Sequence, residues 1–257
     1  AFGYSRDRRS DRPQVVIGLL TSGDGIPIAH HVFAGDTSDV STLTQVLEDL
    51  VARFAVGRIC VVADRGLISE TNIGEVEGAD CDWLFATKLR RRKDVAAVLA
   101  AAAEADNADW MEVGQFDSHV LDTIHDGRRY VVVFSAARER RDIRRRLELI
   151  AKTETRLLDL EARVRRGDLV VATDIAAAAA TILARSPVKR IFDVTDVGEG
   201  RFVYDYDHDA LDYDEALAGH YVLTTSLTPE VADAAAVLAA YRSLQLVEER
   251  FRVLKSS

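Results

Sequence analysis

The chain has 257 residues, with 33 basic against 42 acidic residues and a net charge of −9. That length admits one large domain, or one domain with a sizeable insertion, and no apolar run approaches the roughly 20 residues needed to cross a bilayer. No basic-then-apolar leader opens the chain, which argues against secretion. Cys60 and Cys81 both lie in or beside apolar, strand-like runs. They read as core residues of a reducing compartment, not as a disulfide framework or a zinc site. The acidic average argues mildly against a nucleic-acid partner, but the distribution of charge matters more than its total. The only methionine is Met111, so Ala1 is not read as a natural start and the chain is expected to be a fragment.

In chain order, residues 1–13 form a polar, basic arm carrying Arg6, Arg8, Arg9 and Arg12, either solvated or DNA-contacting. Gln14–Leu20 and Ile26–Phe33 read as a hairpin around Ser22-Gly23-Asp24-Gly25, with Pro27 tolerable near a strand's start. From Val40, the apolar positions Leu43, Val46, Leu47, Leu50, Val51 and Phe54 recur at helical spacing. The run Ile59-Cys60-Val61-Val62-Ala63 then leads without a break into Asp64, with Gly66 beyond. A short, uninterrupted, β-branched run predicts a strand buried on both faces. Ser69 and Glu70 open a short helix, and Asp82–Leu89 is a further strand. This order predicts an α/β layer arrangement.

After Leu89 the pattern changes. Arg90–Lys93 is a dense basic run, either a phosphate track or a solvated turn. Strands are expected at Ser118–Ile124 and Tyr130–Phe134 around the turn His125-Asp126-Gly127. From about Arg138 to Arg166 comes a strongly charged helix whose mixed signs read as a solvated face. Ala176–Ala180 is helix-forming, and short aromatic runs return at Arg201–Tyr206 and His220–Thr225. The expected organisation is a core in two parts, residues 1–89 and 216–257, around an insertion at 90–215.

A final helix is predicted from the cap Thr228-Pro229-Glu230, which offers a cap oxygen, a proline at the first helical position and an acid in the first turn. It is expected to reach Lys255. Tyr241, Glu248 and Lys255 are seven apart and share one face. Asp64 ends a strand, where open α/β sheets place their sites, and Glu248 lies on this helix. Two such carboxylates suit a divalent cation that prefers hard oxygen ligands. Asp36 and Asp39 read as turn and cap residues, and the histidines show no metal-ligand spacing.

Four pieces carry a resemblance: Phe2-Gly3-Tyr4-Ser5-Arg6-Asp7, Val32-Phe33-Ala34-Gly35-Asp36-Thr37-Ser38-Asp39, Val62-Ala63-Asp64-Arg65-Gly66, and Tyr241 through Lys255. Together the chain resembles the DDE transposases of bacterial insertion sequences, and its last piece the Tyr-x2-Arg-x3-Glu-x6-Lys signature of one such group. Tyr241, Glu248 and Lys255 match that spacing, whereas the arginine position holds Leu244.

The resemblance implies an RNase H-like mixed sheet flanked by helices, with a largely β insertion, partly helical, before the last catalytic helix. It implies that Asp64 and Glu248 are the second and third acids of a triad holding Mg²⁺, with Mn²⁺ as substitute. The first acid would lie upstream of residue 1, so the fragment is expected to be inactive alone; Asp7 and Asp11 do not qualify.

Tyr241, Arg252 and Lys255 would contact DNA. The implied activity is phosphodiester hydrolysis and strand transfer at transposon ends, in a homodimer or larger synaptic complex, in the bacterial cytoplasm at the nucleoid. The alternatives are a catalytically inactive DNA-binding remnant and an RNase H-like nuclease.

Overall fold

A computed structural model describes residues 15–21, 27–34, 46, 58–63, 70–87, 93–106, 109–245 and 248–249. Its contacts divide the chain into two compact units. One comprises Ala1–Val133 with Tyr221–Ser257, the other Phe134–His220.

In the first unit, β1 (Val15–Thr21) and β2 (Pro27–Ala34) form the expected antiparallel hairpin, pairing Val15 with Ala34 and Leu20 with Ala29. Proline opens β2, a position where its missing N–H is tolerated. Of the helix expected from Val40, only Val46 lies among the described residues, and it is helical.

The main sheet is built from β3 (Cys60–Ala63), β4 (Asp82–Ala86), β5 (Met111–Val113), β6 (Ser118–His125), β7 (Arg128–Phe134) and β10 (His220–Thr225). Their spatial order is β3-β4-β10-β7-β6-β5. β3 runs parallel to β4, with Cys60 beside Asp82 and Ala63 beside Phe85, while β10 runs antiparallel to β4. Between β6 and β7, Asp126 and Gly127 adopt φ of 49° and 73°. Positive φ at both central residues is the type I′ geometry that Asp-Gly favours.

Helices cover both faces, which is why these strands are nearly continuous in apolar residues. Leu84, Ala86, Val131, Val133 and Leu223 pack with Ala234, Val237 and Leu238 of the last described helix, α6 (Ala234–Arg242). The alternate residues Trp83 and Phe85 pack instead on Ile73 and Val76 of α1 (Glu70–Gly78). On the same rule, Tyr130, Val132 and Val222 meet Val95 and Val98 of α2 (Lys93–Glu104). The observed architecture is a mixed α/β sheet flanked by helices, consistent with an RNase H-like fold.

The second unit is organised around α3 (Ala136–Arg165), a helix of 30 residues. Ile150, Leu157, Leu160 and Val164 line one stripe and pack on Ile175 and Ala179 of α4 (Ala172–Ala184). Phe192 of β8 (Phe192–Gly198) and Phe202 of β9 (Arg201–Tyr206) complete this core. Beneath the apolar layer, the Tyr206 hydroxyl donates to Glu154 Oε1 at 2.7 Å. Burial first, then that carboxylate, pushes the phenol up to about 12. α5 (His208–Ala216) is capped by Asp207, which accepts from the Ala210 N–H at 2.9 Å. Buried Asp214 in α5 pairs with Arg190.

Two expectations differ from this arrangement. β3 stands at one end of the six-strand order, and Cys60, Val61 and Val62 are only half-buried; among the described strands its sole partner is β4. The last helix begins at Ala234, not at Thr228. Asp233 is its cap, accepting from the Ala236 N–H at 2.7 Å, while Thr228 accepts from Val231 and Ala232 in a separate turn.

Candidate active site

The site expected from the sequence requires two positions to meet: the residue after β3 and a residue far along the last helix. β3 is short but firmly placed. Ala63 is 4% exposed and packs with Phe85, Ile73 and Val76, while Val62 packs on the opposite face against the α6 cluster. Asp64 follows immediately and lies outside the described residues.

A chain of polar contacts positions the loop that feeds α6. Arg58 forms a two-pronged ion pair with Asp82, and Asp82 Oδ1 accepts from the Ser226 hydroxyl at 3.1 Å. The Arg58 hydrogen bond outweighs the cost of burial and, with Ser226, holds the Asp82 carboxyl below the usual carboxylate range. Thr225 Oγ1 donates to the Trp83 carbonyl at 2.7 Å and accepts from the Leu227 N–H at 3.1 Å.

From the neighbouring strand, Arg129 reaches into the same loop. Its guanidinium, 6% exposed, pairs with Asp122 and donates to the carbonyls of Leu227 at 2.7 Å and Ala232 at 2.8 Å. Such a bidentate, carbonyl-satisfied arginine is the geometry in which a buried charge is tolerated.

These anchors fix where α6 starts, and Tyr241 fixes where it goes. The Tyr241 ring lies 6.0 Å from that of Tyr221. Tyr221 sits near the start of β10, beyond Leu223, which pairs with Ala86 near the end of β4. Loop 226–233 lies at the other end of those strands, beside Asp82 and Arg129. α6 therefore travels antiparallel to β10 and in the same direction as β3 and β4. Helical geometry recurs at Leu244–Gln245 and at Glu248–Glu249, and Glu248 is exposed.

Among the other sequence candidates, Tyr241 is half-buried against the sheet, so part of its surface serves packing. Leu244, in the arginine position of the signature, is also half-buried. The nearby Arg242 lies 5.8 Å over the ring of Phe116. Arg252 and Lys255 lie outside the described residues, as do Arg90, Arg91 and Arg92.

Burial and then the adjacent Asp82 push the thiol of Cys60, the first residue of β3, up to about 11. A groove of about 460 Å³ lined by Trp83, Arg128, Thr225 and Pro229 lies at the opposite end of β4 and β10 from the close of β3.

A family model, the transposase DDE domain, matches residues 2–257. The chain belongs to the DDE transposase family. No curated protein and no solved structure matches it. This family membership carries a transposase role in DNA transposition and a general dependence on divalent metal ions. Among the described residues no group of three or more His, Cys, Asp or Glu side chains could hold a metal ion, and no helix is long and apolar enough to cross a membrane. Glu248 nonetheless suits a hard cation, being an exposed carboxylate with oxygen donors only.

The anchoring residues Arg58, Asp82, Arg129, Ser226 and Asp233 were not singled out from the sequence as parts of the site. Asp233 had a signal, since an aspartate directly precedes the apolar run Ala234–Ala240. Arg129, an arginine entering the apolar run Tyr130–Phe134, marks a charge that must find buried partners. Nothing local pairs Arg58 with Asp82 across 24 residues.

Proposed function

We propose that this transposase domain cuts and joins DNA at transposon ends through Asp64 and Glu248, which hold Mg²⁺, or Mn²⁺ in its place. The supporting observation is the shared direction of β3 and α6. Chain that continues past Ala63 and chain that continues past Arg242 leave the sheet at the same end. In chain order, residues 90–215 are then an insertion between these two carriers of the site.

The bound cation would polarise the scissile phosphodiester and lower the charge barrier to in-line attack, by water in cleavage and by a DNA 3′-hydroxyl in joining. Asp64 and Glu248 contribute the hard oxygen ligands, and the resemblance puts a further acid ahead of the Phe2–Asp7 motif. Tyr241, Arg252 and Lys255 contact DNA phosphates beside the cut. Transposon-end pairing calls for a homodimer or larger synaptic assembly, working in the bacterial cytoplasm at the nucleoid.

The test is cleavage and strand transfer by the full reading frame on a duplex carrying the element's end, with Mg²⁺ or Mn²⁺. Asp64→Asn and Glu248→Gln are each expected to abolish both steps while leaving duplex binding intact. Unchanged cleavage in either variant overturns the site. Cleavage without joining in the parent protein would make it a nuclease, and binding with neither step an inactive remnant. An independent check is geometric: paired metals lie about 4 Å apart, so carboxylates of Asp64 and Glu248 separated by more than about 10 Å overturn the assignment.

A further inference from the structure

α3 carries ten basic and six acidic residues, a net charge of +4 within a chain of −9. The two signs are not mixed evenly around it. The buried stripe is Ile150, Thr153, Leu157, Leu160 and Val164. Four of the acids turn toward that side and are half-buried: Glu139, Asp142, Glu154 and Glu161. Two of these are engaged within the unit. Asp142 pairs with Arg138 at 3.4 Å and accepts from the Gly219 N–H at 3.3 Å, and Glu154 accepts from Tyr206.

Arg141, Arg145, Lys152, Arg156 and Arg163 are all exposed. At 3.6 residues per turn these five fall within a sector of about 60° and extend over about 33 Å, with the exposed acids Glu148 and Asp159 in or beside the same sector. That length is close to one turn of duplex DNA, about 34 Å. None of the five makes an ion pair or hydrogen bond among the described residues. Arg141 with Arg145, and Lys152 with Arg156, are like-charge pairs four residues apart, whereas Glu148 with Lys152 and Asp159 with Arg163 are opposite-charge pairs at that spacing. The solvent face of α3 thus shows eight exposed cations, these five with Arg140, Arg144 and Arg165, against two exposed acids, Glu148 and Asp159, a net positive face that suits a polyanion.

We propose that this stripe of α3 is a duplex-DNA backbone-binding surface, engaging phosphates without regard to sequence. The inference rests on the reading that the chain acts on DNA. It adds a contact surface in the second unit, separate from the residues that carry the chemistry. The occupant is DNA and not another protein because the stripe offers five cations against two acids and few apolar side chains between them. Each phosphate neutralised releases counterion and contributes about −0.9 to the slope of log affinity against log salt. Five contacts therefore weaken binding roughly 500-fold between 50 and 200 mM salt.

The experiment compares the full-length protein with a variant in which all five residues are changed to Gln, a good helix former. Affinity for an end-bearing duplex and for an unrelated duplex is measured across 50–200 mM salt, with melting temperature and oligomeric mass recorded alongside. The expected result is a salt slope shallower by about 4 to 5, with equal loss on both duplexes and a melting temperature unchanged or raised. An unchanged slope in a folded variant overturns the proposal, as does a loss confined to the end-bearing duplex. A change of oligomeric mass with unchanged DNA affinity would make the stripe a protein contact, which also overturns it. Asp64→Asn in the same assay separates the two readings. Intact binding with lost cleavage leaves the active-site reading standing whatever the stripe does, and retained cleavage sinks that reading without touching the stripe.

Discussion

Tyr241 packs against Tyr221 with ring centroids 6.0 Å apart and planes inclined by 39°. This pair sets the course of α6, because it ties the helix's eighth residue to the start of β10 while Asp233 caps the other end. Removing the ring should loosen α6. Tyr241→Ala is expected to cost about 2 kcal/mol, less than a fully buried aromatic since Tyr241 is half-buried. Tyr241→Phe retains the packing and should hold the urea midpoint. If Tyr241→Phe nevertheless lowers affinity for duplex DNA, the hydroxyl is the phosphate contact.

Arg129 should behave as a structural keystone. Arg129→Met leaves Asp122 and the carbonyls of Leu227 and Ala232 without their buried donor. Breaking a buried pair from one side costs about 3 to 5 kcal/mol. Chemical denaturation reads this directly. Pairing the change with Asp122→Leu should recover part of the loss, because the stranded carboxylate is then gone; no recovery would mean the two carbonyls dominate.

Acid should weaken the Arg58–Asp82–Ser226 cluster. Asp82 is held below the ordinary carboxylate range, chiefly by its hydrogen bond from Arg58. A carboxyl lowered in the folded state stabilises at pH values above its unfolded pKa, about 3.9. That contribution is lost as pH falls through the folded value. Asp82→Asn should therefore flatten the decline in thermal stability below about pH 4, and a parallel decline in both proteins would disprove the linkage.

Gly219 is a close approach in the second unit. Its φ is +80°, and a Cβ there would meet Phe134 Cε2 and Glu139 Cβ at 2.8 Å. Its amide also donates to Asp142. Gly219→Ala is expected to destabilise by about 2 kcal/mol, from left-handed strain plus overpacking. Melting of the full chain checks this. An unchanged midpoint would mean that the backbone relaxes freely at this position.

Period and punctuation carried most of the element-level information. The hairpin of β1 and β2, the Asp126-Gly127 turn, the run of β9 and the long charged helix were all legible because each is governed by residues close in sequence. The motif pieces from Phe2 to Lys255 were enough to indicate the family, since spacing such as Tyr241 to Glu248 survives without any knowledge of packing.

What required the fold were choices between local equivalents. Thr228 and Asp233 are both acceptable helix caps, and Asp233 won because Arg129 holds the Leu227 and Ala232 carbonyls in the intervening turn. The charged helix read as a merely solvated face, whereas the unit's core takes one stripe and draws four half-buried acids toward it, leaving an outward face where cations outnumber the two acids Glu148 and Asp159. Composition along a helix states how many charges there are. Only the direction of the buried face decides which of them remain unpaired in solvent, because burial fixes the helix's rotation and every other position follows from it.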